Sequence, residues 1–132
     1  MFDLELVKEI LQRILGATRI VARRFASIAS AEDFVKSETG LEKLDAICMQ
    51  LIAIGESLKH LDKITGGELL IRYPQVEWKR VMGMRDVLTH HYFDLDAEAV
   101  YSVCAHHMGV LEHTIEAMLA DLQTAGQDDS QP

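Results

Sequence analysis

Apolar residues recur along this chain in steps of three and four, and little interrupts them. Over residues 4–28, Leu4, Val7, Ile10, Leu11, Ile14, Val21, Phe25 and Ile28 keep the period of an amphipathic helix. A second series runs through Leu41, Leu44, Cys48, Leu51, Ile52, Leu58 and Leu61. A third runs through Val100, Val103, Cys104, His107, Leu111, Ile115, Met118 and Leu122. Only two prolines are present, and no alternating strand pattern, internal repeat or low-complexity block appears. These patterns predict an all-α fold, four-helix-bundle-like, with three long helices and a shorter one.

The boundaries follow from local chemistry. Asp3 can cap the first helix. Residues 30–38 are polar and broken, with room for one short turn containing Phe34. Thr39-Gly40-Leu41-Glu42 fits a capping box that would open the second long helix. Gly55 in that helix costs about 1 kcal/mol relative to alanine, which suggests a close helix approach or a pocket. Its neighbour Glu56 would face water or orient an arginine or histidine of the third helix. Thr65-Gly66-Gly67 reads as a linker turn, and Tyr73-Pro74 resists a helix interior. The shorter helix is expected over residues 77–90, and the last from Asp96, with Glu98 complementing its dipole. One domain over residues 1–125 and a disordered acidic tail over 126–132 complete the expectation.

Composition narrows function. A formal charge of −8 argues against general coating of nucleic acid, which needs a net positive surface. A local basic groove stays open, because Arg72, Lys79, Arg80 and Arg85 face only Glu77 and Asp86 between Ile71 and Phe93. Cys48 and Cys104 lack metal-type spacing and lie on apolar stripes, so two buried thiols are expected. The acids in Met1-Phe2-Asp3-Leu4-Glu5 do not suit a signal peptide, and no apolar run approaches the ~20 residues that span a bilayer. A soluble, cytoplasmic protein is expected.

Six histidines raise the question of a metal. None has a glutamate three residues before it, and no His-x-x-x-His pair projects from one helix face, so no metal is expected. His106, His107 and His113 are expected to pack, Gly66-Gly67 lacks the lysine of a phosphate loop, and Met82 and Met84 suit core filling.

The chemistry concentrates in Arg85-Asp86-Val87-Leu88-Thr89-His90-His91-Tyr92. Arginine offers a permanent cationic fork for phosphate, and histidine moves protons near neutral pH. Arg85 and His90 are five positions apart, about 140° around an unbroken helix. They converge only if the helix ends between them or a second copy completes the site. If it ends, His90 is expected in the last helical turn, where the dipole favours its charged form.

The flanking residues carry a resemblance. Tyr73-Pro74, Trp78, Gly83-Met84-Arg85-Asp86, His90, Tyr92-Phe93 and the turn Asp94-Leu95-Asp96 resemble the hallmark block of the DUF86 branch of the HEPN superfamily. That branch is typified by the HepT toxins of HepT–MntA modules. Ile54-Gly55-Glu56-Ser57 is similar to its glycine–acid step, and Asp33-Phe34 to the segment before it. The resemblance covers roughly residues 4–122. It implies a metal-independent endoribonuclease without cofactor, in which arginine and histidine of two protomers meet at a two-fold interface. Carried over, His90 is the general acid or base, Arg85 stabilises charge on the phosphate, Asp86 orients them and Glu56 supports them. Arg72, Lys79 and Arg80 would hold RNA. Tyr92 matches the tyrosine that a nucleotidyltransferase antitoxin, MntA, modifies with AMP, and a homodimer or higher homo-oligomer is implied. The alternative is a non-catalytic helical module that presents substrate or nucleotide to a nucleotidyltransferase.

Overall fold

The first apolar series folds as α1, Leu4–Phe25, which buries Val7, Ile10, Leu11, Ile14 and Val21 along one face. Asp3 caps it, its Oδ1 accepting from the amides of Glu5 at 3.1 Å and Leu6 at 3.2 Å. Thr18 lies on the buried face because its hydroxyl donates to the Leu15 carbonyl at 2.7 Å, leaving no unmet polar group. The helix stops three residues short of Ile28, which still packs into the core. The computed structural model describes the backbone of residues 2–91 and 94–130, and the side chains of these except 90, 91 and 126–130.

A single helical turn, α2 (Glu32–Val35), places Phe34 fully in the core. The next helix, α3, spans Glu38–Ile64. Its cap is Ser37, whose Oγ accepts from the Gly40 amide at 3.0 Å, so the expected Thr39 capping box does not form. A side chain on Gly40 would collide with the Asp33 carbonyl, so α2 rests directly on the backbone of the first turn of α3. Asp33 itself accepts from the Ala29 amide at 2.7 Å and pairs with Lys36 at 2.8 Å, and that partner chiefly lowers its pKa. At the far end Gly66 and Gly67 take φ of 60° and 75°, and the Gly67 amide closes onto the Asp62 carbonyl at 2.9 Å.

After a 3-10 turn at Leu70–Arg72 the Tyr73-Pro74 segment is tied down twice. The Tyr73 hydroxyl donates to Asp121 at 2.6 Å, and the Trp78 indole N–H donates to the Tyr73 carbonyl at 2.8 Å. The expected shorter helix over 77–90 is in fact two helices of five residues each, α4 (Trp78–Met82) and α5 (Met84–Leu88), parted at Gly83. A two-stranded antiparallel ladder follows, β1 (Thr89–His91) against β2 (Asp94–Leu95). The expected last helix is likewise divided, into α6 (Ala97–His106) and α7 (Met108–Ser130), with His107 between them. His107 is exposed rather than part of the apolar stripe. Helical backbone continues to Ser130, past residue 125 where the sequence suggested the domain would end.

The domain is therefore all-α and multi-helical, with seven α-helices among the described residues and one short ladder. The core lies where α1 packs against α3 and α7, around Leu11, Ile14, Ile47, Leu51, Ile54, Leu58, Ile115 and Met118. Each such side chain contributes roughly 1.5–3 kcal/mol by leaving water. Among the described residues no helix is long and apolar enough to cross a membrane.

Candidate functional site

The residues that carry chemistry sit on the least regular part of the chain. In α5, Met84 and Leu88 are buried and anchor the helix, which turns Arg85 and Asp86 outward to solvent. The Arg85 guanidinium has no ion-pair partner among the described residues. Behind the site, α3 approaches closely at Gly55. A Cβ there would stand 2.5 Å from the Val81 carbonyl oxygen and 3.3 Å from the Met84 Cβ. The glycine thus lets the α4–α5 elbow lie against α3, the close approach its sequence position suggested.

The helix ends at Leu88. Thr89 is already extended, with φ −126° and ψ 139°, and its hydroxyl donates to the Arg85 carbonyl at 2.7 Å. The Asp96 amide donates to the Leu88 carbonyl at 2.7 Å, so the start of α6 closes the end of α5. In the ladder Thr89 stands opposite Leu95 and His91 opposite Asp94, which leaves the backbone of His90 as the extra residue of a bulge. His90 is therefore two residues beyond the helix end, not in its last turn, and the dipole argument for its charge does not apply. The side chains of His90 and His91, and the whole of Tyr92, lie outside the described residues.

The remaining expected site residues are spread out. Glu56 is exposed and pairs with Lys59 of its own helix at 3.7 Å. Arg72 is exposed on the 3-10 turn, and Lys79 and Arg80 are exposed on α4, where Arg80 pairs loosely with Glu77 at 3.8 Å. Cys48 is buried and Cys104 half-buried; burial pushes both thiols up to about 12, helped by Asp45 beside Cys48 and by Cys48 beside Cys104. Neither is poised as a nucleophile. Among the described residues no group of three or more His, Cys, Asp and Glu side chains is arranged to hold a metal ion. Sequence reasoning missed Thr89 and the Leu88 carbonyl as the groups that end the motif helix. The β-branched threonine after Leu88 was the available signal.

The helical domain that carries this motif segment falls within a known protein family. The model of the ribonuclease HepT-like family matches residues 7–118, and the chain belongs to that family. It is similar to the protein named "Putative RNase MJ0127" of Methanocaldococcus jannaschii, 27% identical over 106 residues that make up 80% of each chain. It is also similar to "Putative RNase TTE0752" of Caldanaerobacter subterraneus subsp. tengcongensis. There the identity is 31% over 109 residues, 83% of this chain and 90% of the relative. No solved structure matches the chain.

Proposed function

We propose that the chain is a metal-independent endoribonuclease of the toxin type. Its helices make a four-helix-bundle-like HEPN domain over residues 1–125, and two copies build the active cleft in the cytoplasm. The observation that carries this reading is the end of α5 between Arg85 and His90, which removes the 140° separation that a continuous helix would impose. With the backbone turned out at Thr89 and bulged at His90, the two motif residues belong to different local frames.

In the proposed reaction His90 takes the proton of a ribose 2′-hydroxyl as that oxygen attacks the adjacent phosphorus. The bond from phosphorus to the 5′-oxygen breaks, and a proton returned from the same site completes the leaving hydroxyl. The other product is a 2′,3′-cyclic phosphate. Arg85 faces the phosphoryl oxygens, where its guanidinium stabilises the developing charge. Asp86 orients Arg85, Glu56 supports the site from α3, and Arg72, Lys79 and Arg80 steer the strand. Tyr92 is the site at which a nucleotidyltransferase antitoxin attaches AMP, the tyrosine oxygen displacing pyrophosphate from ATP, which adds bulk and negative charge to the motif segment.

Protein free of its partner is expected to cleave RNA in EDTA. His90→Ala is expected to cut at least about 100-fold more slowly, the scale of lost general acid–base catalysis. Equal activity in that variant would overturn the mechanism. A protein that binds nucleotide but never cuts would favour the binding-module alternative. Intact-mass measurement after incubation with ATP and the nucleotidyltransferase is expected to show AMP increments that vanish in Tyr92→Phe. Absence of increments in the unsubstituted protein removes the modification.

A further inference from the structure

The longest helix carries more pattern than its core face requires. While α3 buries Leu44, Leu51 and Leu58 against the body, a second stripe runs along its outer side. Glu42, Asp45, Met49, Ile52, Glu56, Lys59 and Lys63 follow in alternating steps of three and four, the spacing of a coiled-coil seam. Ile52 is half-buried, Met49 is 68% exposed, and the charged members are all exposed. Charge divides along the stripe. Glu42 and Asp45 stand toward its N-terminal end, Lys59 and Lys63 toward its C-terminal end, and the apolar pair lies between. Glu56 pairs with Lys59 of its own helix at 3.7 Å, whereas Glu42, Asp45 and Lys63 form no ion pair among the described residues.

We propose that this stripe seats a second copy of the chain, with α3 antiparallel to its counterpart about a two-fold axis at Ile52. Asp45 and Lys59 each lie seven residues from Ile52, and Glu42 and Lys63 lie ten and eleven. That register sets Lys59 against Asp45 of the partner subunit and Lys63 against Glu42 of the partner subunit, each pairing made twice by symmetry. A parallel pairing would set acid against acid and base against base, so the charges select the antiparallel one. Met49 and Ile52 of both copies leave water at the centre. The arrangement also places the motif. Gly55, against which the α4–α5 elbow rests, is three residues from Ile52, about 4.5 Å along α3 and about 60° around it. A two-fold axis lying in the interface and perpendicular to both helices exchanges the copies but leaves each elbow on the same flank. Both α5 helices, with Arg85 exposed on each, therefore stand on one side of the pair and face each other across the axis. The pairing rests on the two-copy reading above and gives that reading its face.

Sedimentation equilibrium of the full-length protein reads the dimer dissociation constant. Asp45→Lys and Lys59→Glu each set like charges together and are expected to raise it at least about tenfold. The double variant exchanges the two charges and is expected to return it to within about threefold of the unsubstituted protein. Both positions are exposed, so the fold does not depend on them. The Glu56–Lys59 pair is lost in the double variant too, so recovery cannot come from within the helix. A protein that stays monomeric overturns the proposal, as does one that dimerises equally well in both single variants. A double variant no tighter than the singles overturns it as well. RNA cleavage is scored separately. A dimer that follows the charges but never cuts keeps this face and removes the ribonuclease; a protein that cuts but is indifferent to the charges does the reverse.

Discussion

The body of the molecule and its motif segment are built on opposite plans. The body is α1, α3 and α7, of 22, 27 and 23 residues, each long enough to bury a continuous apolar face. The motif segment spans two helices of five residues and a ladder of three residues against two. Helices that short are not stable alone, so their form depends on what they touch. The contrast teaches that stability and chemistry are held by different contacts. Core packing keeps the body folded, while Gly55, the Arg85 carbonyl and the Leu88 carbonyl set where the motif residues stand.

The largest effect should come from the body. Leu51→Ala, at a fully buried site of α3, is expected to lower stability by about 2–5 kcal/mol, read from the urea midpoint. A loss far smaller than that would break the assignment of stability to the α1–α3–α7 core. Gly55→Ala should act on the other plan. Its new methyl meets the Val81 carbonyl at 2.5 Å, and overpacking of that kind costs about 1–3 kcal/mol. Amide exchange should quicken in α4 and α5 and stay unchanged in α1; uniform quickening would mean the two regions are not separate. Asp96→Ala removes the acceptor that holds the Ala99 amide at 3.0 Å, with an expected loss of about 1 kcal/mol in the same urea measurement.

Smallest in equilibrium stability near neutral pH is the thiol pair. With pKa values raised to about 12, roughly one thiol in ten thousand is ionised at pH 8, so neither cysteine of the folded protein should react with a disulfide reagent. Unfolding should expose both. Because folding favours the protonated thiols, their contribution is complete below the ordinary thiol value of 9.0 and fades as pH rises toward about 12. Tyr73, also raised to about 12 by burial and then by its bond to Asp121, shifts stability in the same direction above the ordinary tyrosine value of 10.0. Rapid labelling at pH 8 would show that the α3–α6 contact opens readily.

Those two plans also explain what the sequence could reveal. Leu4 to Phe25 and Leu44 to Leu61 repeat their spacing over several turns, and a repeated signal survives local irregularity. Gly55 was legible because a glycine in a helix needs a reason. The break at Gly83 was not, since Val81, Met84 and Leu88 keep helical spacing across it. His107 gave no warning either, because it falls in step with Val103 and Leu111. The ladder is too short for alternation to show, so the chain after Leu88 read as one more helical turn. Ser37 and Thr39 are both good caps by residue type, so the local pattern did not tell them apart, and the seat of α2 on Gly40 is a tertiary contact that no local pattern contains. Within the candidate site, the residue types were visible from the start and an end to the helix was one of two ways to bring Arg85 and His90 together, but its place at Leu88 was not visible.

The bulge at His90 has a consequence for how this segment tolerates genetic change. Opposite Asp94, β1 carries one residue more than regular pairing needs. Substitutions along β1 leave that count intact, whereas loss of one residue between Leu88 and His91 removes the bulge, and with it the local bend and added twist that a bulge gives a strand. Length, rather than composition, is thus the inherited quantity here. In-frame deletions of one codon should be far more damaging than most point changes, even though the strand itself is only three residues long.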